Sequence, residues 1–161
     1  MLLLELVNPL DVAELRDLAV NAFMEDRRYR PDDVKDGNPP RLDDIQKHQE
    51  WLLLYTYLKC TMNGRLVGSC ILKLTDQQGE IIGIHVQQHQ MNTGVGSWMI
   101  NELAQLFPQV STWTLETPDY ATRNHHFYEK NGFTCIQVIP KVLSLGFGFY
   151  KYSKSVEVTL K

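Results

Sequence analysis

Residues 80–107 constrain the chain's fold more than any other stretch. They run Glu-Ile-Ile-Gly-Ile-His-Val, then a polar turn holding Gly94 and Gly96, then an apolar run through Met99 and Leu103 to Phe107. The pattern reads as a strand over Glu80–Gln88 and a helix from about Thr93 to Phe107, stopped by Pro108. A helix start has backbone N–H groups without intrahelical partners and carries partial positive charge. Lacking Cβ atoms, Gly94 and Gly96 let an anionic group come close to the backbone. The turn therefore makes an anion site of pyrophosphate size. A dinucleotide fingerprint does not fit, because position 99 is Met and the turn lies in the second half of the chain. A P-loop does not fit either, because no Lys adjoins the turn. On the two glycines alone, an ordinary strand-to-helix turn accounts for the pattern equally well.

The flanking sequence supplies the rest of the frame. Val110–Glu116 is rich in β-branched and aromatic residues and reads as a strand. A helix follows and ends in Phe127-Tyr128-Glu129-Lys130-Asn131-Gly132-Phe133, with Gly132 in the terminating position. Phe133–Ile139 is strand-like again. Near the start, Leu2–Leu6 reads as a buried strand. Asn8-Pro9 then opens a helix whose Val12, Leu15, Ala19, Ala22 and Phe23 share one face. Residues 25–42 read as a loop, and a helix is expected from about Leu42 to Leu52. Asn63-Gly64 marks a hairpin between Leu54–Met62 and Arg65–Leu74. That turn would pair Cys60 with Val67 and Cys70 with Tyr57, placing the two thiols on opposite faces. The glycine- and aromatic-rich residues 143–150 read either as a hairpin loop folded onto the sheet or as a lid, before a final strand Ser155–Leu160.

Strands on both sides of the turn are apolar on both faces, which calls for a central sheet covered by helices on each side. With 161 residues, 43% of them hydrophobic and 22% charged, the chain is sized for one domain with its own core. Net charge is −3, and the only basic cluster, Arg27-Arg28-Tyr29-Arg30, is bracketed by acids, so nucleic-acid binding has no footprint. Three irregularly spaced cysteines point to free thiols in a reducing compartment, the cytoplasm. Met1-Leu2-Leu3-Leu4 lacks the basic start and length of a signal peptide, and no run is long enough to span a membrane. No metal is expected. His85 and His89 would lie roughly 13 Å apart on an extended strand, and His125 and His126 point to different faces of a helix.

Two segments together carry a family likeness. After a strand ending in Val86 comes Met91-Asn92-Thr93-Gly94-Val95-Gly96, and Tyr128-x-x-x-Gly132-Phe133 begins 32 residues beyond Gly96. The chain thereby resembles the GNAT superfamily of N-acetyltransferases, whose members carry Gln/Arg-x-x-Gly-x-Gly/Ala and then Tyr-x-x-x-Gly-Phe. It departs from them at Met91, where Gln or Arg is usual; Gln90 is adjacent but out of register. The resemblance implies a single α/β domain (α+β in some schemes) spanning 1–161. Its mixed, mostly antiparallel sheet would have six to seven strands, about four flanking helices and a bulge that splays two strands. The cofactor core would occupy about 50–139 and the acceptor side about 25–50 and 140–155.

The same resemblance implies acetyl-CoA as acyl donor and direct transfer to a primary amine of a small molecule or peptide. The diphosphate would meet Met91, Asn92, Thr93, Gly94, Val95 and Gly96. The thioester carbonyl would meet backbone N–H groups around Ile84, His85 and Val86, where Gly83 is consistent with a bulge. Asn124, one helical turn before Tyr128, would contact the cofactor. Tyr128 would protonate the leaving sulfur. For the general base the residues leave Glu80, His85 and Glu116 open, each with an ordinary structural explanation beside it. Acidic residues Asp32, Asp33 and Asp36 fit either a cationic amine or plain solvation. A non-catalytic acyl-CoA-binding module is the alternative reading, and a homodimer is compatible with the resemblance.

Overall fold

The computed structural model describes residues 1–26, 28, 30 and 41–157. Seven strands form one sheet: β1 (Leu2–Leu6), β2 (Thr56–Met62), β3 (Arg65–Thr75), β4 (Gln78–Val86), β5 (Thr112–Pro118), β6 (Thr134–Val142) and β7 (Phe147–Ser155). The helices are α1 (Val12–Asp26), α2 (Ile45–Leu54), α3 (Val95–Leu106) and α4 (Thr122–Lys130). Strand order is β1-β2-β3-β4-β5-β7-β6, antiparallel everywhere except between β4 and β5. The α/β fold with a mixed, mostly antiparallel sheet is thus the one expected.

Local chemistry explains the elements. Asn8 accepts from the Leu10 N–H at 2.8 Å while the Asn8 N–H donates to Asp11, a reciprocal cap that starts α1 after a turn of 3-10 helix at Pro9–Asp11. Lys59 on β2 donates to Asp11 at 2.9 Å and ties that start to the sheet. Asp44 caps α2 through the Gln46 N–H. Asn63 and Gly64 both have positive φ, as the tight hairpin turn requires.

Two apolar layers hold the sheet between them. On one face α1 and α2 bury Leu15, Ala19 and Trp51 against Tyr57 and Ile71. On the other, α3 and α4 bury Val95, Met99, Leu103 and Tyr128 against Leu72, Ile81, Trp113 and Leu115. Within the first layer the buried His48 ring bonds the Tyr57 hydroxyl (2.9 Å) and the Leu42 carbonyl (2.6 Å), fastening α2 and its approach to β2.

Besides the first strand, which lies at the sheet edge with Leu3 and Leu6 exposed rather than buried, three expectations need correction. A bulge at Val67 shifts the β2–β3 register, so Cys60 faces Gly68 and Cys70 faces Leu58. That one-residue slip puts Cys60 and Cys70 on the same face, buried in the same layer, both as free thiols. Burial pushes the Cys60 thiol up to about 11. The second correction concerns the bounds of 143–150: residues 143–146 are the turn of the β6–β7 hairpin, one of the two readings, but β7 already starts at Phe147. The third concerns the last strand: β7 ends at Ser155, Val156 and Glu157 are not in a strand, and 158–160 lie outside the described residues, as do Asp32, Asp33 and Asp36.

The outer β6–β7 pair is packed tightly at Gly148, where a Cβ would sit 2.1 Å from the Ile139 carbonyl oxygen. Since backbone rather than a side chain would have to move, Gly148→Ala is expected to lose about 3 kcal/mol, the upper end of overpacking. Urea unfolding measures this, and a loss under about 0.5 kcal/mol, the level of a neutral surface change, would contradict the close approach.

Candidate active site

The parallel β4–β5 pairing is short. It joins Gln78, Gly79 and Glu80 to Thr112, Trp113 and Thr114 and then stops. Beyond it, Ile81–Val86 and Leu115–Pro118 run apart. A bulge accompanies the divergence: Ile81 pairs with Leu72 and Gly83 with Ile71, leaving Ile82 as the extra residue of β4. The opened strands bound a cavity of about 1050 Å³.

The cavity gathers most of the residues expected from the sequence. Ile84, His85 and Val86 line it from β4, and Met91, Asn92, Gly94 and Gly96 from the turn. Asn124 and Tyr128 enter from α4, and Glu80 and Glu116 from β4 and β5. Thr93 and Val95 do not line it. The Thr93 hydroxyl donates to the Gln90 carbonyl, and the Val95 side chain is buried in the core. Strand β4 ends at Val86, two residues earlier than expected, and a 3-10 turn at Gln88–Gln90 carries the chain toward α3.

The two glycines differ in what they do. Gly94 caps α3 at φ 93°, a left-handed conformation, with open space where a Cβ would point. Gly96 lets α3 approach α4: a Cβ there would meet the Phe127 ring at 2.9 Å. The first turn of α3, with its unpaired N–H groups, therefore faces the cavity across a gap that no side chain fills. The turn is also anchored to α1. Gln88 donates through its backbone N–H to Asn21 Oδ1 (3.1 Å) and through Nε2 to the Asn21 carbonyl (2.7 Å).

Around Tyr128 the α4 side is held by rings. Tyr128 is buried and packs edge-on to Phe127 and Phe133, with centroids at 5.3 and 5.8 Å. His125 on the same helix stacks on Tyr150 and bonds the Pro118 carbonyl at 3.0 Å, fixing α4 against the end of β5. Asn124 Nδ2 donates to Thr117 Oγ1 at 3.5 Å.

The three basic candidates have different surroundings. Register places Glu80 opposite Thr114 and Lys73, and Glu116 two residues beyond Thr114, so both carboxylates lie on the α1–α2 face of the sheet. His85, opposite Ser69, shares that face and bonds the Ser69 hydroxyl at 3.4 Å. Burial pushes its pKa down to about 4, and the nearby His48 adds to the effect, so the imidazole stays neutral. Folded His85 resists a proton that the unfolded chain accepts below about pH 6.5. Stability is then undiminished above pH 6.5 and falls as the pH drops toward 4. Between pH 7 and pH 5 the parent is expected to lose about 2 kcal/mol more than His85→Gln. Urea unfolding at the two pH values checks this, and equal losses would refute it. His48, whose pKa burial also lowers, remains in both proteins and cancels in the comparison.

Sequence reasoning misses several cavity residues. Phe23 fits the α1 core stripe by its spacing, yet with Ala22 it lines the cavity from the end of α1. Leu145, Phe147 and Phe149 line it from the β6–β7 hairpin, and the glycine- and aromatic-rich composition there is the available signal. Arg123, His126 and Lys130 contribute a basic strip along α4 that no motif marks. Among the described residues no group of three or more His, Cys, Asp or Glu side chains could hold a metal ion. No helix among them is long and apolar enough to cross a membrane.

The same fold recurs in known proteins. The model of the acetyltransferase (GNAT) family matches residues 12–133. No curated protein matched the chain. Solved structures of the same fold include the ribosomal-protein-S18-alanine N-acetyltransferase from Escherichia coli, at 13% identity and TM-score 0.77, covering 100% of this chain and 97% of that one. PaiA N-acetyltransferase from Thermoplasma acidophilum, in complex with coenzyme A, is similar at 12% identity and TM-score 0.76, covering 97% and 99%. An aminoglycoside 6'-N-acetyltransferase complexed with coenzyme A is similar at 14% identity and TM-score 0.75, covering 99% of both chains.

Proposed function

The chain belongs to the GNAT acetyltransferase family, and on that premise we propose that it transfers the acetyl group of acetyl-CoA directly to a primary amine in a ternary complex. The observation that carries this reading is the continuous cavity from the Gly94 turn through the β4–β5 opening to Tyr128. A diphosphate fits the unpaired amides beside Gly94, where no side chain intrudes. The Met91 departure leaves those amides intact. An extended amide-bearing arm fits the strand-like gap, where Ile84–Val86 offers backbone partners in the manner of strand addition. Residues 50–139 then serve as the cofactor core, and segments 25–50 and 140–155 as the acceptor side.

Bound acetyl-CoA supplies an activated thioester, in which the C–S bond breaks as the amine nitrogen bonds to the acetyl carbon. The chain's own groups do the rest. Backbone N–H groups near Ile84–Val86 polarise the carbonyl oxygen. Glu80 takes the amine proton through a water, which suits its place lining the cavity on the α1–α2 face. Glu116 shares that face and adds negative charge for an ammonium group. His85, neutral and weakly basic, positions β4 through Ser69. Tyr128 returns a proton to the departing sulfur. Holding both reactants side by side provides much of the rate without a covalent enzyme intermediate.

The test is calorimetry with CoA, NAD and ATP, followed by thiol release from acetyl-CoA over a panel of amines. CoA is expected to bind most tightly and at least one amine to release thiol. Preference for either nucleotide over CoA would overturn the family chemistry here. Tight CoA binding with no turnover on any amine would favour an acyl-CoA-binding module.

A further inference from the structure

The half of the cavity on the α1–α2 face carries a consistent chemistry. Resting on the acetyl-transfer reading above, we propose that the acceptor is a primary amine borne on an aromatic body, an arylalkylamine rather than a polyamine or an amino sugar. Phe149 pairs with Pro118 and shares the parity of Glu116, so it lies on the face that holds both carboxylates. Phe147, two residues earlier, has the same parity and packs edge-on to Phe149 with centroids 5.4 Å apart. Phe23 closes the cavity from α1, and Ile82 is turned to this face by the bulge. These four apolar groups line the same cavity as Glu80 and Glu116.

The charge pattern selects the amine end. Neither the Glu80 nor the Glu116 carboxylate forms an ion pair or hydrogen bond with any described residue, although Lys73 and Lys151 stand opposite them in register. An ammonium group placed between the two acids gains partners that the protein does not provide. The rings select the body. Aromatic pairs favour offset or edge-on contact at 4.5–7 Å between centroids, and Phe147 and Phe149 already present such a geometry. A polyamine or a sugar would bury polar atoms against these rings without partners. A single step, ammonium at the carboxylates and ring among the phenylalanines, satisfies both.

The experiment uses the whole chain with 2-phenylethylamine, ethylamine, spermidine and glucosamine as acceptors. Thiol release gives kcat and KM, and calorimetry gives amine binding to the CoA complex. Burying one ring predicts a kcat/KM for 2-phenylethylamine about 10- to 100-fold above that for ethylamine. Phe149→Ala is expected to raise the KM for 2-phenylethylamine about tenfold or more, a larger factor than for ethylamine, while CoA still binds. Phe23→Ala serves as a second variant on another element should the first fail to fold. Spermidine or glucosamine turned over as well as 2-phenylethylamine would overturn the aromatic acceptor and leave acetyl transfer standing. So would CoA binding without calorimetric binding of 2-phenylethylamine. Loss of CoA binding itself would instead bring down the underlying acetyl-transfer reading.

Discussion

Tyr128→Phe is expected to lower kcat about 100- to 10,000-fold, the usual range for removing a positioned general acid. The phenol is a proton donor that α4 brings to the cavity at the β4–β5 opening. Without it, the thiolate would leave unprotonated. The substitution retains the ring, which packs against Phe127, Phe133 and Tyr152, so the fold should lose no more than the hydrogen bonding of one hydroxyl, about 1 kcal/mol. Affinity for CoA should be unchanged, because the turn proposed to hold the diphosphate is on another element. Thiol release with acetyl-CoA and a competent amine measures the effect. A kcat within about threefold of the parent, well below any general-acid contribution, would remove Tyr128 from the chemistry.

The second large effect belongs to Gly94→Val. A β-branched residue at φ 93° is an outlier, and the strain is about 1–3 kcal/mol. Its side chain would also occupy the open space next to the α3 amides, so CoA affinity should fall about 100-fold or more through lost phosphate contacts of roughly 3 kcal/mol. The hairpin supplies the control. Gly64 also has positive φ, 81°, with nothing within 4 Å of where a Cβ would stand, but it lies far along the chain in the β2–β3 turn. Gly64→Val should show the same loss in melting temperature with CoA affinity intact. Equal losses of affinity in both variants would mean that strain, not access to the amides, governs binding.

What could be read from the sequence was what depends on neighbouring residues. The cap at Asn8, the Asn63-Gly64 turn, the strand–glycine–helix unit and the Tyr128-to-Phe133 ending are each fixed by a few adjacent side chains and backbone dihedrals. Registers were not legible, because one inserted residue exchanges the faces of everything beyond it. Val67 does this to Cys60 and Cys70. The same limit hid the face proposed to hold the acceptor: Ile82 makes the bulge next to Gly83, and only the resulting register shows where Glu80 and His85 point. Phe147 and Phe149 escaped for a topological reason. Strand β7 inserts between β5 and β6, so its neighbours in space are distant in sequence. The low basicity of His85 is a burial effect, set by the layer formed by α1 and α2 around it, and no local motif encodes it.

A sheet is ordinarily most rigid at its middle, yet here its middle is a seam. Peptide groups of Ile81–Val86 and Leu115–Pro118 that face the gap have no strand opposite them, so their amide protons should exchange with solvent far faster than those of β2 and β3 beside them. A donor that occupies the gap would act as an added strand and slow that exchange. Catalyst and reagent then share one hydrogen-bonded framework, and the melting temperature becomes a direct gauge of how much donor is present.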